Sequence, residues 1–396
     1  MDGINVSAAD LTRNNLCGSR LRRAGTAVTR TAMLLLAAAG ALAGARAVQA
    51  EEAVVVWGSN DFGQRNTPPG IGVVTAIAAG SYHTVAIKAG GTVVAWGDNG
   101  QGQCNTLPGL GVATAVAAGG FHTVALKADG AVVAWGNNSS GQCATPPGIG
   151  VVTAIAAGLK HTVALKADRA VVAWGSNSEG QCTTPPALGV ATAIAAGYYH
   201  TVAIRADGIV GVWGDNSFGQ LDGGTGPAIV TAIAAGAYHT VALKADGAIV
   251  AWGFNGFEQC NTPPGLGVVT AIAAGYGHTI ALKAGGSVVA WGLNNQGQCT
   301  TPPGIGIVAA ISAGELHTVA LKPPSCDYQL AAAQAVIAEL TAANAKQAAA
   351  NAQQAAEILF LNARIAILQL GDLNEDGVID SGDLATLLNS WGVGGK

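Results

Sequence analysis

Charged residues are scarce in this chain: Asp, Glu, Lys and Arg make up 11% of its 396 residues, and the net charge is −4. The chain also has no basic run that could follow a phosphate backbone, which excludes a typical nucleic-acid-binding protein. Aromatic residues are only 5% of the chain, but hydrophobic residues reach 50%. Because disordered chains combine low hydrophobicity with high net charge, we expect the bulk of this chain to fold.

The first 50 residues differ from the rest. Four arginines between residues 20 and 30 precede an apolar stretch over 32–45, and the small residues Val48 and Ala50 follow at the spacing of a cleavage site. The apolar stretch is shorter than the roughly 20 residues that span a bilayer, so a secretory signal is favoured over a membrane anchor. We expect residues 1–50 to be a signal peptide and the mature protein to be secreted, periplasmic or held at the cell surface.

One period of 39 residues organises the chain from about residue 53 to 322. The unit reads approximately V-T-A-I-A-A-G-x-x-H-T-V-A-L-K-A-D-G-x-V-V-A-W-G-x-N-x-x-G-Q-C-x-T-P-P-G-x-G. The repeated tryptophans are Trp57, Trp96, Trp135, Trp174, Trp213, Trp252 and Trp291, and the histidines are His83, His122, His161, His200, His239, His278 and His317. Such self-similarity is typical of repeat architectures.

Each unit carries signals for four short strands separated by turns. Asp129-Gly130 and its equivalents are expected to form two-residue hairpin turns, where Arg169 would need a positive φ. In the third unit the expected strands are Val152–Ala157, His161–Lys166, Val171–Trp174 and, more weakly, Gly180–Thr184. Four short strands in about 40 residues predict a β-propeller.

The array begins and ends in the middle of a unit. Residues 53–57 correspond to a third strand, and residues 308–322 supply only a first and a second strand. Joining the two ends completes a seventh unit and removes an open sheet edge. We therefore predict an all-β, seven-bladed propeller over residues 51–325, with its ring closed by N- and C-terminal strands.

The repeated segment G-x-x-H-T-V-A-L-K-A-D-G-x-V-V-A-W-G-x-N-x-x-G-Q resembles the repeat of the regulator of chromosome condensation family and covers about 270 residues. Its short period and T-P-P ending are most similar to the secreted bacterial branch, which includes a propeller-type β-lactamase inhibitory protein. That resemblance implies binding of a target protein through one propeller face. Guanine-nucleotide exchange is not implied, because this chain lacks the protruding wedge of the exchange factors.

Features present in every unit are expected to be structural. A two-residue turn at Asp129-Gly130 would place Val124 opposite Trp135, with His122 diagonal to the indole ring. We prefer this Trp–His packing to a ring of metal-binding histidines, because ligands about 2 Å from one metal cannot come from sheets about 10 Å apart. The repeated Lys and Arg at the hairpin turns are interpreted as a solvated rim, with an anion-binding ring as the alternative.

The repeated cysteines are expected to be buried free thiols, since equivalent points on sheets about 10 Å apart are too distant for disulfides. Arg65 takes their place in the first unit, which the pattern does not explain, and Cys326 could pair between chains. The five equivalent cysteines are Cys104, Cys143, Cys182, Cys260 and Cys299.

Function is expected in the loops that vary between units. The first-to-second and third-to-fourth loops open on one face of the disc, and all the variable aromatic residues fall in these loops. Aromatics among Asn, Ser and Asp are typical of protein-binding hot spots, although packing between loops is the alternative. The predicted partner-binding residues are Phe62, Tyr82, Phe121, Tyr198, Tyr199, Phe218, Tyr238, Phe254, Phe257 and Tyr276.

No catalytic arrangement emerges from the sequence, since every His is repeated and no loop Ser has its own His and carboxylate. We expect a non-enzymatic protein that binds an extracellular or envelope protein. Inhibition of an extracellular enzyme is a narrower alternative. A carbohydrate-active enzyme is an alternative of another class, and its candidate residues are the non-repeated carboxylates Glu179, Glu258 and Glu315.

Two further segments follow the repeats. Residues 328–370 lack Gly and Pro and predict one long helix, so that residues 326–370 form a stalk. A heptad pattern with Asn344 and Asn351 in one column leaves self-association as a coiled coil and a monomeric spacer open.

Residues 371–396 contain a loop of the EF-hand type that resembles a dockerin module. Hard Ca²⁺ needs six to eight oxygen ligands around a tight turn. We expect this loop to bind calcium, and a cohesin-like partner is implied only in part because dockerins normally carry two such loops. The predicted ligands are Asp372, Asn374, Asp376, Val378, Asp380 and Asp383.

Overall fold

The computed structural model describes residues 53–223, 229–323 and 347–359. The chain divides into two compact units. One contains 21 strands in seven three-stranded antiparallel sheets within the described ranges. The other contains helix α1 over residues 347–359, whose residues are all exposed. No helix in these ranges is both long and apolar enough to cross a membrane.

The sheets share one order, in which the second strand of each unit lies between the first and the third. The first strands are β2 (Val74–Ala79), β5 (Ala113–Ala118), β8 (Val152–Ala157), β11 (Ala191–Ala196), β14 (Val230–Ala235), β17 (Val269–Ala274) and β20 (Ala310–Ala313). The second strands are β3 (His83–Lys88), β6 (His122–Lys127), β9 (His161–Lys166), β12 (His200–Arg205), β15 (His239–Lys244), β18 (His278–Lys283) and β21 (His317–Leu321). The third strands are β1 (Val54–Gly58), β4 (Val93–Gly97), β7 (Val132–Gly136), β10 (Val171–Gly175), β13 (Val210–Gly214), β16 (Ile249–Gly253) and β19 (Val288–Gly292). A 3₁₀ turn covers Pro186–Leu188.

The hydrophobic core lies between neighbouring sheets. Second strands such as β6 are buried along nearly their whole length because both faces contact other sheets. One cluster joins Val85 and Ile87 of one sheet to Ala125 and Trp135 of the next. The same Val, Ala and Ile positions therefore recur in every sheet, because each sheet packs against its two neighbours in the same way.

The hairpin turns contain three residues, so the predicted two-residue turn is wrong. The Lys127 N–H donates to the Ala131 carbonyl, and the Gly130 N–H donates to the Lys127 carbonyl while Gly130 takes a φ of 82°. This is a turn followed by a bulge, and the extra residue shifts the register by one. Thr123, not Val124, lies opposite Trp135, so the expected diagonal Trp–His pair is absent from this hairpin. Arg169 has the predicted positive φ, at 68°.

The weak fourth strand predicted at Gly180–Thr184 is also wrong. Side-chain hydrogen bonds replace a strand ladder in this segment: the Cys182 N–H donates to Asn177 Oδ1, and the Thr184 hydroxyl donates to the Val171 carbonyl. The segment comes after the third strand in sequence and forms no strand ladder with the sheet.

The two ends of the array meet in one sheet. Strand β1 pairs with β21, and β21 pairs with β20. The register places Val54 opposite Leu321 and Gly58 opposite His317. Strands about 260 residues apart in sequence therefore share one ladder.

A hydrogen bond from each buried histidine joins its sheet to the next. The His Nε2 to Thr Oγ1 distances are 3.0–3.2 Å. These contacts join His83 to Thr123, His122 to Thr162, His161 to Thr201, His200 to Thr240, His239 to Thr279, His278 to Thr318 and His317 to Thr84. The last contact links the seventh sheet to the first.

The threonine side of these contacts fixes the histidine tautomer. The Thr123 hydroxyl donates to the Gln103 carbonyl, which also accepts from Trp135 Nε1. Because that hydroxyl has only one proton, His83 Nε2 must be the donor to it. Nδ1 is then unprotonated, and in all seven histidines it has no hydrogen-bond partner in the part of the chain that the structure describes. Burial lowers the pKa of each ring to about 3 or 4.

Candidate functional site

The segments that follow the third strands keep the name third-to-fourth loops, although the predicted fourth strand does not form. Each holds a fixed backbone and presents one variable side chain. In the loop that follows β4 of the first sheet, Asn99 Oδ1 accepts from the Cys104 N–H, and Oε1 of the buried Gln103 accepts from the Gln101 N–H. The glutamine contact recurs in all seven loops at 2.9–3.0 Å. The displayed residues are Phe62, Gln101, Ser140, Glu179, Phe218, Phe257 and Gln296.

The repeated cysteines are free, as predicted, but they are half-buried rather than fully buried. Their thiols donate to a carbonyl in the same loop, as Cys104 Sγ does to the Asp98 oxygen at 3.1 Å. Burial raises the pKa of the five thiols to about 11 or 12. Arg65 uses its guanidinium in a corresponding way, since its Nη1 donates to the Gly58 carbonyl. Cys326 lies outside the described residues.

The ten predicted aromatic residues lie on one face and form two clusters of rings in contact. We call the face formed by the first-to-second and third-to-fourth loops the loop face. The small cluster contains Phe62, Tyr82 and Phe121, with ring centroids 4.9 and 6.1 Å apart. In the large cluster the centroids are 5.0–6.4 Å apart. Its members are Tyr198, Tyr199, Phe218, Tyr238, Phe254, Phe257 and Tyr276.

These rings are packed against one another and partly exposed at the same time. Phe62 is 50% exposed and Phe218 is 47% exposed, and the other eight are half-buried. The rings therefore support one another, as the packing interpretation predicts, while part of their apolar surface still faces solvent.

Glu315 connects the two clusters. The Tyr82 hydroxyl donates to Glu315 Oε1 at 2.8 Å, and the Tyr198 hydroxyl donates to Oε2 at 2.6 Å. Burial, together with the Glu315 carboxylate, raises the pKa of Tyr82 to about 12 and raises the pKa of Tyr198 still further. Sequence reasoning named Glu315 only as a candidate acid or base. The available signal was its position, since it is the one acidic residue among the variable pairs that precede the histidines.

The first strands of all seven sheets end around one depression on the loop face. Glycines such as Gly80 and Gly119 line it together with Tyr198, Tyr276 and Glu315. A Cβ at Gly119 would lie 2.3 Å from His122 Cε1 and 2.5 Å from the Gly158 carbonyl oxygen, so only glycine fits there. Tyr198 reaches across from the fourth sheet to Glu315 beside the seventh.

The other two non-repeated carboxylates have different surroundings. Glu179 borders a second recess with Tyr199, Phe218 and Tyr238. Glu258 is exposed and has a φ of 65°, in the left-handed region that favours glycine. Within the described ranges no group of three or more His, Cys, Asp or Glu side chains could hold a metal ion. The predicted calcium ligands, from Asp372 to Asp383, lie outside those ranges.

The sequence matches the regulator of chromosome condensation (RCC1) repeat six times. The matched residues are 74–103, 113–142, 152–181, 191–220, 230–259 and 269–298. Each match runs from the first strand of a sheet to the buried glutamine of its third-to-fourth loop. No curated protein sequence matches the chain significantly.

Solved structures with the same fold come from several eukaryotes. Prp20p from Saccharomyces cerevisiae, described with its binding to Gsp1p and histones, has a TM-score of 0.59 at 17% identity, covering 71% of this chain and 94% of that one. Human WBSCR16 has a TM-score of 0.59 at 20% identity, covering 68% and 98%. The ectodomain of the receptor kinase ACR4 from Arabidopsis thaliana has a TM-score of 0.51 at 22% identity, covering 62% and 91%.

Proposed function

Since the chain belongs to the regulator of chromosome condensation repeat family, we propose that its β-propeller is a closed ring of seven blades whose loop face binds a partner protein. Ring closure is supported by the pairing of β1 with β21 and by the contact from His317 back to Thr84. A closed ring leaves no free sheet edge between the first and last blades, so the loops are held on a stable disc.

The convergence of ten half-exposed aromatic rings on one face is the observation that carries this proposal. Large aromatic side chains dominate the energetics of protein interfaces, particularly where they are held in place before binding. Here the rings contact one another, and the loops that carry Phe62, Phe218 and Phe257 are fixed by buried glutamines. Little side-chain freedom is therefore lost on binding.

We further propose that the protein is exported and carries a calcium-dependent attachment module. Residues 1–50 supply the expected signal, and Asp372, Asn374 and Asp376 begin the expected calcium loop. Mass spectrometry of the released protein should find Glu51 at its N-terminus, and calorimetry should detect one Ca²⁺ per chain. Residues 1–50 still present in the released protein would contradict the proposed signal peptide. The absence of heat on adding Ca²⁺ would contradict the proposed calcium site.

The experiment that tests partner binding is quantitative capture with the full-length chain. The probe set is the secreted and envelope proteins of the producing organism, and the variant carries Tyr198→Ala, Tyr199→Ala and Tyr238→Ala. A matched control carries Ser at three exposed aliphatic positions on the opposite face: Val190, Ile229 and Val268. We expect one protein to be captured by the parent and the control but not by the tyrosine variant. Equal capture by all three chains would refute a role for the loop face.

A further inference from the structure

A recess on the loop face combines exposed aromatic rings with two carboxylates. It has a volume of about 230 Å³ and is bordered by Glu179, Tyr199, Asp215, Phe218 and Tyr238. The Phe218 and Tyr238 rings meet edge to face with centroids 5.0 Å apart, and Tyr199 lies 6.3 Å from Tyr238. The recess is large enough to admit one long side chain.

Neither carboxylate in this recess forms an ion pair with a Lys or Arg of residues 53–223, 229–323 or 347–359. Asp215 Oδ1 accepts from the Ser217 hydroxyl and N–H, and its Oδ2 accepts from Gln220 Nε2. Burial alone would raise the pKa of Asp215, but these hydrogen bonds outweigh it and lower the pKa, so the group is ionised at neutral pH. Glu179 is exposed. The ion pairs found in the described residues involve Lys127, Lys166 and Arg205 with neighbouring Asp residues, all at hairpin turns on the opposite face.

The charges of the described propeller residues divide unequally between its two faces. The loop face carries seven acidic and two basic residues, a net charge of −5, whereas the hairpin face carries eight basic and four acidic residues, a net charge of +4. On the loop face these are Asp61, Asp98, Glu179, Asp215, Asp222, Glu258 and Glu315, with Arg65 and Lys160. On the hairpin face they are Lys88, Lys127, Lys166, Arg169, Arg205, Lys244, Lys283 and Lys322, with Asp129, Asp168, Asp207 and Asp246. A face of one sign favours partners of the other sign.

We propose that the partner docks a basic surface on the loop face and inserts one lysine or arginine side chain into the recess between Glu179 and Asp215. This inference rests on the proposed function and specifies the chemistry of its partner. A cation within about 6 Å of an aromatic ring is attracted by its π face, and Tyr199, Phe218 and Tyr238 supply three rings. The two carboxylates then accept the charge-assisted hydrogen bonds of the cation. The continuous aromatic surface beyond the recess, toward Phe254, gives the rest of the partner an apolar area to cover.

The first test uses a cationic probe on the full-length chain labelled with 3-fluorotyrosine. The chain has six tyrosines, so its fluorine spectrum is simple. We expect N-acetyl-arginine amide to shift the Tyr199 and Tyr238 signals saturably, whereas the neutral N-acetyl-citrulline amide shifts them little. Equal shifts with both probes, or no shift with either, would overturn the proposal.

Matched variants separate charge from loop structure. Glu179→Gln introduces the residue that other loops carry at the equivalent positions 101 and 296, and it should weaken arginine-probe binding at least fivefold. Asp215→Asn should do the same. Its control is Asp98→Asn, because Asp98 makes the equivalent hydrogen bonds to the Gly100 N–H and Gln103 Nε2 in a loop outside the recess. An effect of Asp98→Asn as large as that of Asp215→Asn would attribute the loss to loop distortion and overturn the proposal.

A last comparison separates this inference from the proposed function. With a captured partner, we expect the Glu179→Gln, Asp215→Asn double variant to weaken binding at least tenfold and to reduce its dependence on salt. If the tyrosine variant abolishes capture while the double variant binds as the parent does, the loop face binds a partner but not through a basic side chain. If neither variant changes capture, the proposed function itself fails.

Discussion

Lowering the pH from 7 to 5.5 is expected to destabilise the propeller by about 9 kcal/mol, because seven buried histidines cannot be protonated in the folded state. Each donates through Nε2 to a threonine of the next sheet, and each Nδ1 has no hydrogen-bond partner within the described ranges. Burial lowers the pKa of the folded rings to about 3 or 4, whereas the ordinary value in an unfolded chain is about 6.5.

The size of the effect follows from these two values. Between these two pKa values the unfolded chain binds protons that the folded chain does not, so this stability is present well above pH 6.5 and is lost as the pH falls through the unfolded-state value. At pH 5.5 about nine in ten unfolded-state imidazoles are protonated, against about a quarter at pH 7, so each site favours unfolding by a little over about 1 kcal/mol relative to pH 7. Seven equivalent sites give about 9 kcal/mol, as large as the typical net stability of about 5–15 kcal/mol. Carboxylates contribute mainly below pH 5, because their ordinary pKa values are near 4.

The measurement is urea unfolding, followed by the fluorescence of the buried tryptophans at pH 7.0, 6.0 and 5.5. The urea midpoint should fall steeply across this range, and unfolding at pH 5.5 should take up about six protons per chain. His122→Asn should reduce the uptake by about one proton. A loss of stability below about 3 kcal/mol, or an uptake of fewer than two protons, would refute the assignment of seven neutral, buried rings.

Three other properties can be predicted. Glu258 has a left-handed φ of 65°, which is unfavourable for a residue with a side chain, so Glu258→Gly should raise the free energy of unfolding by about 1 kcal/mol in urea melts. Arg169→Gly should do the same, and a lower free energy of unfolding in both variants would contradict backbone strain at these positions. The Cys104 thiol and its four equivalents, with a pKa of about 11 or 12, should react with a disulfide reagent at least about 100-fold more slowly in the native than in the unfolded protein, and equal rates would contradict their burial. Tyr82 and Tyr198 should stay protonated at pH 11, so that absorbance at 295 nm reports no more than four of the six tyrosines, whereas six tyrosinates would argue against their contacts with Glu315.

Much of the fold could be predicted because each strand is specified seven times by the same residues. The bounds of Val152–Ala157 and His161–Lys166 agree with the structure. The predicted fourth strand was wrong because the sequence does not show that the Asn177 and Thr184 side chains form hydrogen bonds with backbone groups in place of a neighbouring strand. The predicted turn length was wrong because Asp-Gly is compatible with both a two-residue turn and a three-residue turn that ends in a bulge.

The site could be predicted in position but not in its contacts. Strands that alternate in direction place every variable aromatic on one face, and this requires no knowledge of side-chain conformation. The link from Tyr198 to Glu315 joins residues 117 positions apart and depends on how far a tyrosine reaches over the centre of the array. The proposed role of Asp215 likewise depends on which hydrogen bonds its carboxylate accepts and on the negative net charge of the loop face.

The third-to-fourth loops also bear on how new specificities arise. Each buried glutamine accepts from the backbone N–H of the displayed residue and does not use that residue's side chain. A library that varies positions 62, 101, 140, 179, 218, 257 and 296 among all residues except proline would keep the backbone donor of each of these seven hydrogen bonds. Single-codon changes can therefore alter what the face recognises without an insertion and without refolding a loop, so selection can act on one blade at a time.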